Sequence, residues 1–491
     1  MKTDRIVVVG GGTAGWMSAL ALVTGLRGRT VELIESEEIG IVGVGEATFP
    51  SIRDYNRLVG IDEADFLRAT QGTYKLGIEF RDWRVQGESY FHTFGDFGQL
   101  SGPDALWGQY RRLGDDAPGL FGELCLPTVM AMQQRFCVPD AAQAPFKYAY
   151  HFDAALYAGY LRKLALSRGA RRTEGRIVDV LRRDDGSVRS VRLADGREIA
   201  GDLFIDCSGF SSLLLGRTLG EPFVDYSRWL PVDRAWACPC ERSSGDLAPY
   251  TRATALEGGW AWRIPLQNRT GHGHVFSSRY LDEERAREQL LQQLDGNPLA
   301  EPRLLRFTTG HRARFWVHNV VAVGLSSGFL EPLESTSIFL IQSGLGRLMG
   351  LLASGAPVGD AAIAGYNRGT VRQFARIRDF IVLHYCLTER RDSALWRDMA
   401  SMELPETLAF RLQAWREHGA LQLYDEEGFD EHSWLAIHAG MRHWPRRDDP
   451  VWQELSYNEA RTALRARHQA IAELVARLPA HGDYLKRELE P

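Results

Sequence analysis

Cysteine is scarce in this chain, with six thiols (Cys125, Cys137, Cys207, Cys238, Cys240 and Cys386) spread over 491 residues. Only Cys238-Pro239-Cys240 is a close pair, and no second Cys or His cluster completes a metal-ligand set around it. Neither a disulfide framework nor a metal site is expected; the thiols read as reduced core residues of a cytoplasmic protein. Long hydrophobic runs are missing too. No stretch reaches the roughly 18 apolar residues of a spanning helix, so no membrane association is expected. Positive charge is not in excess: a net charge of −5 and a pI near 6.3 offer nucleic acid or an anionic membrane no electrostatic footing. Met1-Lys2-Thr3-Asp4 runs straight into Ile6-Val7-Val8-Val9, without the pattern of a secretory signal. Repeats, low-complexity tracts and a long Pro/Ser linker are also lacking, which points to one integrated body.

What is present begins at once. Ile6 to Val9 reads as a buried strand, Gly10-Gly11-Gly12-Thr13-Ala14-Gly15 as a turn, and Trp16 to Leu26 as a helix. A second apolar segment, Val31 to Ile34, ends at Glu35, 20 residues after Gly15. This is a dinucleotide-binding βαβ unit in its proper context: Gly10 for the turn, Gly12 for close approach of pyrophosphate, Gly15 for helix–strand packing, Glu35 for a ribose hydroxyl. The segment Ile39 to Pro50 is rich in glycine yet apolar, and reads as a loop packed against something flat.

Ser51 to Thr70 looks helical, and Gln71-Gly72-Thr73-Tyr74-Lys75 to Phe80 alternates like a strand continuing to Trp83. An isolated lysine in such a strand reads, on pattern alone, as a surface residue. Tyr90-Phe91-His92-Thr93-Phe94 is an aromatic cluster, by pattern a piece of core or a pocket wall. Asp153 to Ser167 is amphipathic, and Asp185-Gly186 and Asp195-Gly196 mark the hairpins of a β-meander that closes in Asp202 to Gly209. Residues 225–325 read as β throughout. Beyond Leu352 the chain reads as helical (Ala361 to Arg391, Pro405 to His418, Ser456 to Leu478).

Between those two regions lies Val321 to Ile338. An apolar run enters a Gly/Ser-rich turn, passes Pro332, and leads into an apolar-periodic helix from Ile338 to Leu352. The spacing places Pro332 and Glu334-Ser335-Thr336-Ser337 at the helix start. Free N–H groups and the positive dipole end suit an anion or a flavin edge there, and would favour the charged form of Glu334.

The glycine fingerprint, Trp260-Ala261-Trp262-Arg263-Ile264-Pro265 (WxWxIP) and Phe329-Leu330-Glu331-Pro332-Leu333-Glu334-Ser335-Thr336 together resemble the flavin-dependent tryptophan/indole halogenases. The anchors reach to about residue 350 and thin out afterwards. The resemblance implies an α/β fold: a Rossmann-type FAD-binding domain of flavin-monooxygenase kind, with β-meander and substrate sheet, over 1–355. A helical C-terminal subdomain, 356–491, would cover the substrate site; Ser433-Trp434 to Gly440 is similar to the family's covering region.

It also implies the chemistry. Reduced FAD (FADH2) and O2 oxidise chloride or bromide to hypohalous acid, which travels past Trp260, Trp262, Ile264 and Pro265 to a second chamber. Lys75 would receive it there, as a hydrogen-bonding ammonium or as a haloamine; both need shelter from bulk water. Glu334 would stabilise the arenium cation and accept its proton. Thr336 and Ser337 would hold halide through backbone N–H groups, although a glycine is common at the second position. His92 and Phe94 would sandwich the indole. Cofactor contacts are implied at Gly10, Gly12, Thr13, Ala14, Gly15, Glu35, Ser36, Ile39, Val42, Ala47, Val178, Leu325 and Ile338. Leu325 stands where many flavin hydroxylases carry an aspartate, so contact there would run through the backbone.

No second GxGxxG exists for NAD(P)H, so a separate flavin reductase is the expected partner, and the chain is expected to be a monomer or homodimer. Residues that would grip a free amino acid do not transfer, which leaves the substrate at the level of an indole-type ring. Two rivals stand beside this reading: a flavin-dependent aromatic hydroxylase that uses no halide, and a nucleotide-binding scaffold without turnover.

Overall fold

The computed structural model describes residues 3–38, 45–139, 146–243 and 247–490. Ile39 and Val42 lie outside them. The chain forms two compact units, each discontinuous in sequence. The first comprises Met1–Gly72, Phe152–Asp233 and Leu305–Ala375; the second comprises Thr73–His151, Arg234–Leu304 and Arg376–Pro491.

The first unit is built on a six-stranded sheet in the order Trp316–Val317, Val320–Ala322, Leu203–Asp206, Arg5–Val9, Thr30–Glu35, Arg171–Glu174. All pairs are parallel except that of the edge strand Trp316–Val317. Ile6, Val7 and Val8 are fully buried, as a strand covered on both faces requires. Helix Thr13–Gly25 follows the glycine turn and carries almost no polar stripe, so it too is buried, from Gly15 through Leu22. The meander forms as expected from Ile177–Arg182, Val188–Leu193 and Glu198–Ala200. Its turns are three-residue loops: Arg183 bonds Ser187 and Leu193 bonds Arg197, with Gly186 and Gly196 at positive φ. Val7, Val9, Val191, Phe204 and Leu214 pack together as the core beneath it.

In the second unit the strands run Arg234–Cys240, Thr270–Phe276, Gly259–Pro265, Thr251–Ala255, Gly77–Arg81, Ser89–Thr93. A separate short ladder pairs Thr73–Lys75 with Ala149–Asp153. Helices Glu406–His418, Glu431–Gly440, Tyr457–Ala476 and His481–Leu489 complete the unit. Its helical core centres on Trp107, which meets Trp415 and Trp452 at 4.9 Å each. Among the described residues no helix is long and apolar enough to cross a membrane, and all six cysteines are free.

One expectation is corrected. Residues 225–325 are not all β: Glu283–Gln292 is a helix, capped where Asp282 accepts from Arg285 N at 2.8 Å. Only Ala286 and Leu290, one turn apart, are buried, a stripe too thin to register as periodicity. The helix after Pro332 begins at Ser337, within one residue of the Ile338 start read from its periodicity. Pro332–Glu334 forms a 3-10 turn of its own, Ser335 takes a left-handed conformation (φ 60), and the helix runs Ser337–Leu352. Glu334 thus closes the 3-10 turn, two residues before the N-cap Thr336.

Candidate active site

The first unit carries the nucleotide fingerprint and the Pro332 segment. Gly10 has φ +114, and a Cβ there would lie 2.3 Å from the Cys207 carbonyl oxygen; only glycine lets the two strand ends approach so closely. Around Gly12, by contrast, nothing lies within 4 Å of where a Cβ would be. Gly12 is also the N-cap of helix Thr13–Gly25 and supplies no side-chain cap. Open space beside uncapped N–H groups is a cradle for pyrophosphate. Gly15 packs on the Gly10 carbonyl, at 1.8 Å from a would-be Cβ, the close packing expected of it.

Glu35 ends its strand as anticipated, yet its carboxylate is engaged within the protein. It accepts from Arg172 Nε at 2.5 Å and from Trp16 Nε1 at 3.2 Å, and Arg162 stands 3.5 Å away. Ser36 follows directly. Across the sheet, Val323 N donates to the Asp206 carbonyl at 2.9 Å, and Ser326 Oγ donates to the same oxygen. The buried Asp206 carboxylate in turn accepts from Leu214 N, Leu215 N and Ser208 N. The turn Gly324–Ser326 so anchored leaves Leu325 37% exposed. Gly324 (φ +74) brings this turn against Ala14: a Cβ there would meet the Ala14 Cβ at 2.7 Å. Thr13, Ala14, Leu325 and the glycines thus share one end of the sheet. Ala47 is buried on Gly45–Ala47, and Val178 is 52% exposed on the meander.

Glu334 is 2% exposed and Thr336 is 1% exposed. Thr336 is the N-cap of helix Ser337–Leu352 but makes no side-chain cap bond, and its Oγ1 has no partner among the described residues. The first N–H groups of that helix are left for another acceptor, beside Ile338, which is buried in its first turn. An anion is the natural occupant.

The second unit carries the lysine. Lys75 is fully buried, the shelter that the family resemblance implies and not the surface position that strand pattern alone suggested. Its Nζ lies 5.4 Å from the centroid of Phe94, within the range of a cation–π contact. Phe94 N donates to the Leu76 carbonyl at 2.9 Å, so the two strand ends are bonded where lysine and ring meet. His92 lies two residues earlier and on the same side as Phe94. It packs against Phe380 at 5.5 Å and Phe429 at 6.0 Å; those two rings stack at 3.8 Å, and Trp434 meets Phe380 edge-on at 5.1 Å.

Trp260 and Trp262 point to one face of their strand, centroids 6.3 Å apart, and both are buried. Trp262 crosses Gly273 of the neighbouring strand, where a Cβ would be 2.0 Å from its ring. The last residue of the signature is tied to the lysine strand: Thr73 Oγ1 donates to the Pro265 carbonyl at 2.8 Å. Behind Arg263, Asp295 is driven up by burial, but hydrogen bonding from His272 and the Arg263 charge outweigh that and hold it at about 2.

Phe380 and Phe429 beside His92, and the histidines behind Lys75, were not singled out from the sequence. Phe380 sits in a long helix whose apolar face read as ordinary core, and nothing local marks it. For His151 the signal was position: it lies on the strand that returns to pair with Lys75.

A dinucleotide cofactor and a flat, electron-rich ring are the ligands these two units fit, which makes the chain a cofactor-dependent enzyme acting on aromatics. Comparison with known proteins narrows this. The tryptophan halogenase profile matches residues 5–457, and the chain belongs to that family. It is 35% identical to tryptophan 6-halogenase SttH of Streptomyces toxytricini, over 98% of this chain and 97% of that protein. Among solved structures it is similar to Xcc4156, a flavin-dependent halogenase from Xanthomonas campestris. That match has a TM-score of 0.95 and 43% identity over 99% of both chains. BrvH, a flavin-dependent halogenase from Brevundimonas sp. BAL3, gives a TM-score of 0.94 at 41% identity, again over 99% of both.

Proposed function

We propose that this enzyme halogenates an indole-type ring, using FADH2, O2 and chloride or bromide, with a separate flavin reductase renewing the reduced cofactor. The observation that carries the reading is Lys75, a lysine with no exposed surface, its ammonium 5.4 Å from the centroid of the Phe94 ring. A buried cation is costly unless partnered, and a hydroxylase that delivers oxygen directly from flavin has no need of one there.

Reduced flavin and oxygen, when bound, supply the two-electron oxidant that turns halide into hypohalous acid; the remaining work falls to side chains and N–H groups. The glycine turn and the amides of helix Thr13–Gly25 hold the pyrophosphate. Thr336 and Ser337 present amides to the halide. Lys75 acts as an ammonium, the form that a ring face favours, and hydrogen-bonds the oxygen of hypohalous acid. Ring carbon then attacks halogen: the carbon–halogen bond forms, the halogen–oxygen bond breaks, and the oxygen leaves as water with a proton from Lys75. Glu334 takes the ring proton as aromaticity returns. His92 and Phe94 hold the indole flat, with Phe380 and Phe429 behind His92 and residues 356–491 covering the site.

Incubation with FAD, a flavin reductase, NADH, bromide and indole tests this. A brominated indole that disappears when halide is withheld is the expected product. Hydroxyindole formed equally well without halide would replace the reading with the hydroxylase one.

A further inference from the structure

Lys75 ends the short strand Thr73–Lys75, which pairs antiparallel with Ala149–Asp153 in the register Thr73↔His151, Tyr74↔Tyr150, Lys75↔Ala149. Alternation puts Thr73, Lys75, Ala149 and His151 on one face of this ladder. His151 therefore stands opposite Thr73 and diagonal to Lys75. It is fully buried, and both ring nitrogens are engaged: Nδ1 lies 3.0 Å from Thr73 Oγ1, and Nε2 lies 3.0 Å from Thr251 Oγ1.

The tautomer follows by elimination. Thr73 donates its only hydroxyl proton to the Pro265 carbonyl, so towards His151 it accepts, and Nδ1 carries the hydrogen. Nε2 of a neutral ring then accepts from the Thr251 hydroxyl. Burial, reinforced by the charges of Lys75, His481 and Arg263, pushes His151 well below the ordinary histidine range and keeps it neutral.

These bonds join two sheets. Thr73 and His151 belong to the short ladder, whereas Pro265 and Thr251 belong to the large sheet of the same unit. Main-chain ties at this corner run through Leu76, whose N–H donates to the Pro249 carbonyl at 2.7 Å and whose carbonyl accepts from Phe94 N at 2.9 Å. On the opposite face of the lysine strand, Tyr74 stacks on Phe136 at 4.2 Å, and its N–H donates to His481 Nε2. That face is anchored by packing. On the Lys75 face the described side-chain bonds form a continuous chain, Pro265–Thr73–His151–Thr251.

We infer that His151 is a positioning residue for Lys75, a neutral imidazole clamp that seats the lysine strand against the end of the WxWxIP strand. The inference rests on the reading of Lys75 as the catalytic lysine. Without the clamp the strand loses its side-chain tie to Thr251 and is held less closely, and a misplacement of about 1 Å at a reacting group lowers rate on the order of 100-fold. Formation of hypohalous acid needs neither Lys75 nor its strand, so it is untouched.

The test uses the full chain with FAD, reductase, bromide and indole, and reads brominated indole per flavin reoxidised alongside hypobromous acid caught by a soluble diketone. His151→Ala is expected to cut the brominated yield about ten-fold or more, with trapped hypobromous acid and FAD binding unchanged. His151→Asn, whose amide takes the place of Nδ1–H, is expected to restore the yield to within about three-fold of the parent. Thr251→Val, which removes one hydroxyl at constant shape, is expected to lower it in the same direction, and carries the test with His151→Asn if the alanine variant does not fold. A yield in Thr251→Val and His151→Ala equal to the parent overturns the inference. So does a loss that Asn does not rescue, or one matched by an equal fall in trapped hypobromous acid. Lys75→Ala run in parallel separates the two readings: if it keeps the brominated product, the reading of Lys75 fails; if it alone loses the product, only the role of His151 does.

Discussion

Single residues show how burial changes what a side chain means. Lys75 looked like a surface residue because strand pattern records alternation, not what covers each face; packing covers both. Glu46, inside the apolar glycine-rich segment Ile39 to Pro50, drew no notice, yet removal from water pushes its carboxyl up from 4.5 to about 7. The sign of the consequence is definite. Between those two values the folded chain holds a proton that the unfolded chain has lost. The contribution to stability is therefore complete below pH 4.5 and is lost as pH rises through 7. Thermal melting of Glu46→Gln should lack this decline between pH 5 and 8, while the parent shows it. Parallel profiles for the two proteins would show that Glu46 titrates as an ordinary surface carboxylate.

At the scale of elements, the strand–turn–helix at the N-terminus was fully legible, because glycine spacing, apolar strand and terminal acid all point to the same unit. Glu283–Gln292 was hidden by its polarity, and the separate turn Pro332–Glu334 by its proline, which opens a 3-10 turn as readily as an α-helix. The turn at Gly324 shows why an element needs its neighbour. Its positive φ and its approach to Ala14 both require glycine. Gly324→Ala should therefore weaken FAD binding about ten-fold and lower the melting temperature, by strain of roughly 1–2 kcal/mol plus the clash. Gly28→Ala is the control: φ is +81 there, but nothing lies within 4 Å, so strain appears without a change in FAD affinity. Equal FAD binding in both variants, measured by flavin fluorescence titration, would remove Gly324 from the cofactor site.

For the whole molecule, the division of labour extends beyond the chain. One dinucleotide fingerprint serves one dinucleotide, so NADH alone should leave bound FAD oxidised, and product should appear only when a flavin reductase is added. Rapid bleaching of the flavin absorbance by NADH with the purified protein would contradict this. What the sequence determined by itself was local or carried by motif: the βαβ unit, the meander, the helical C-terminal part, and the family through WxWxIP and the Pro332 segment. Those signals depend on neighbours in the chain, and survive being read without a fold. Tertiary structure alone decided that Phe380 and Phe429 close on His92 from far along the chain, that His151 joins the lysine strand to Thr251, and that Thr73 joins it to Pro265. Each of these is a contact between residues distant in sequence, formed only when strands from separate segments are brought into register, and periodicity along one segment holds no record of it.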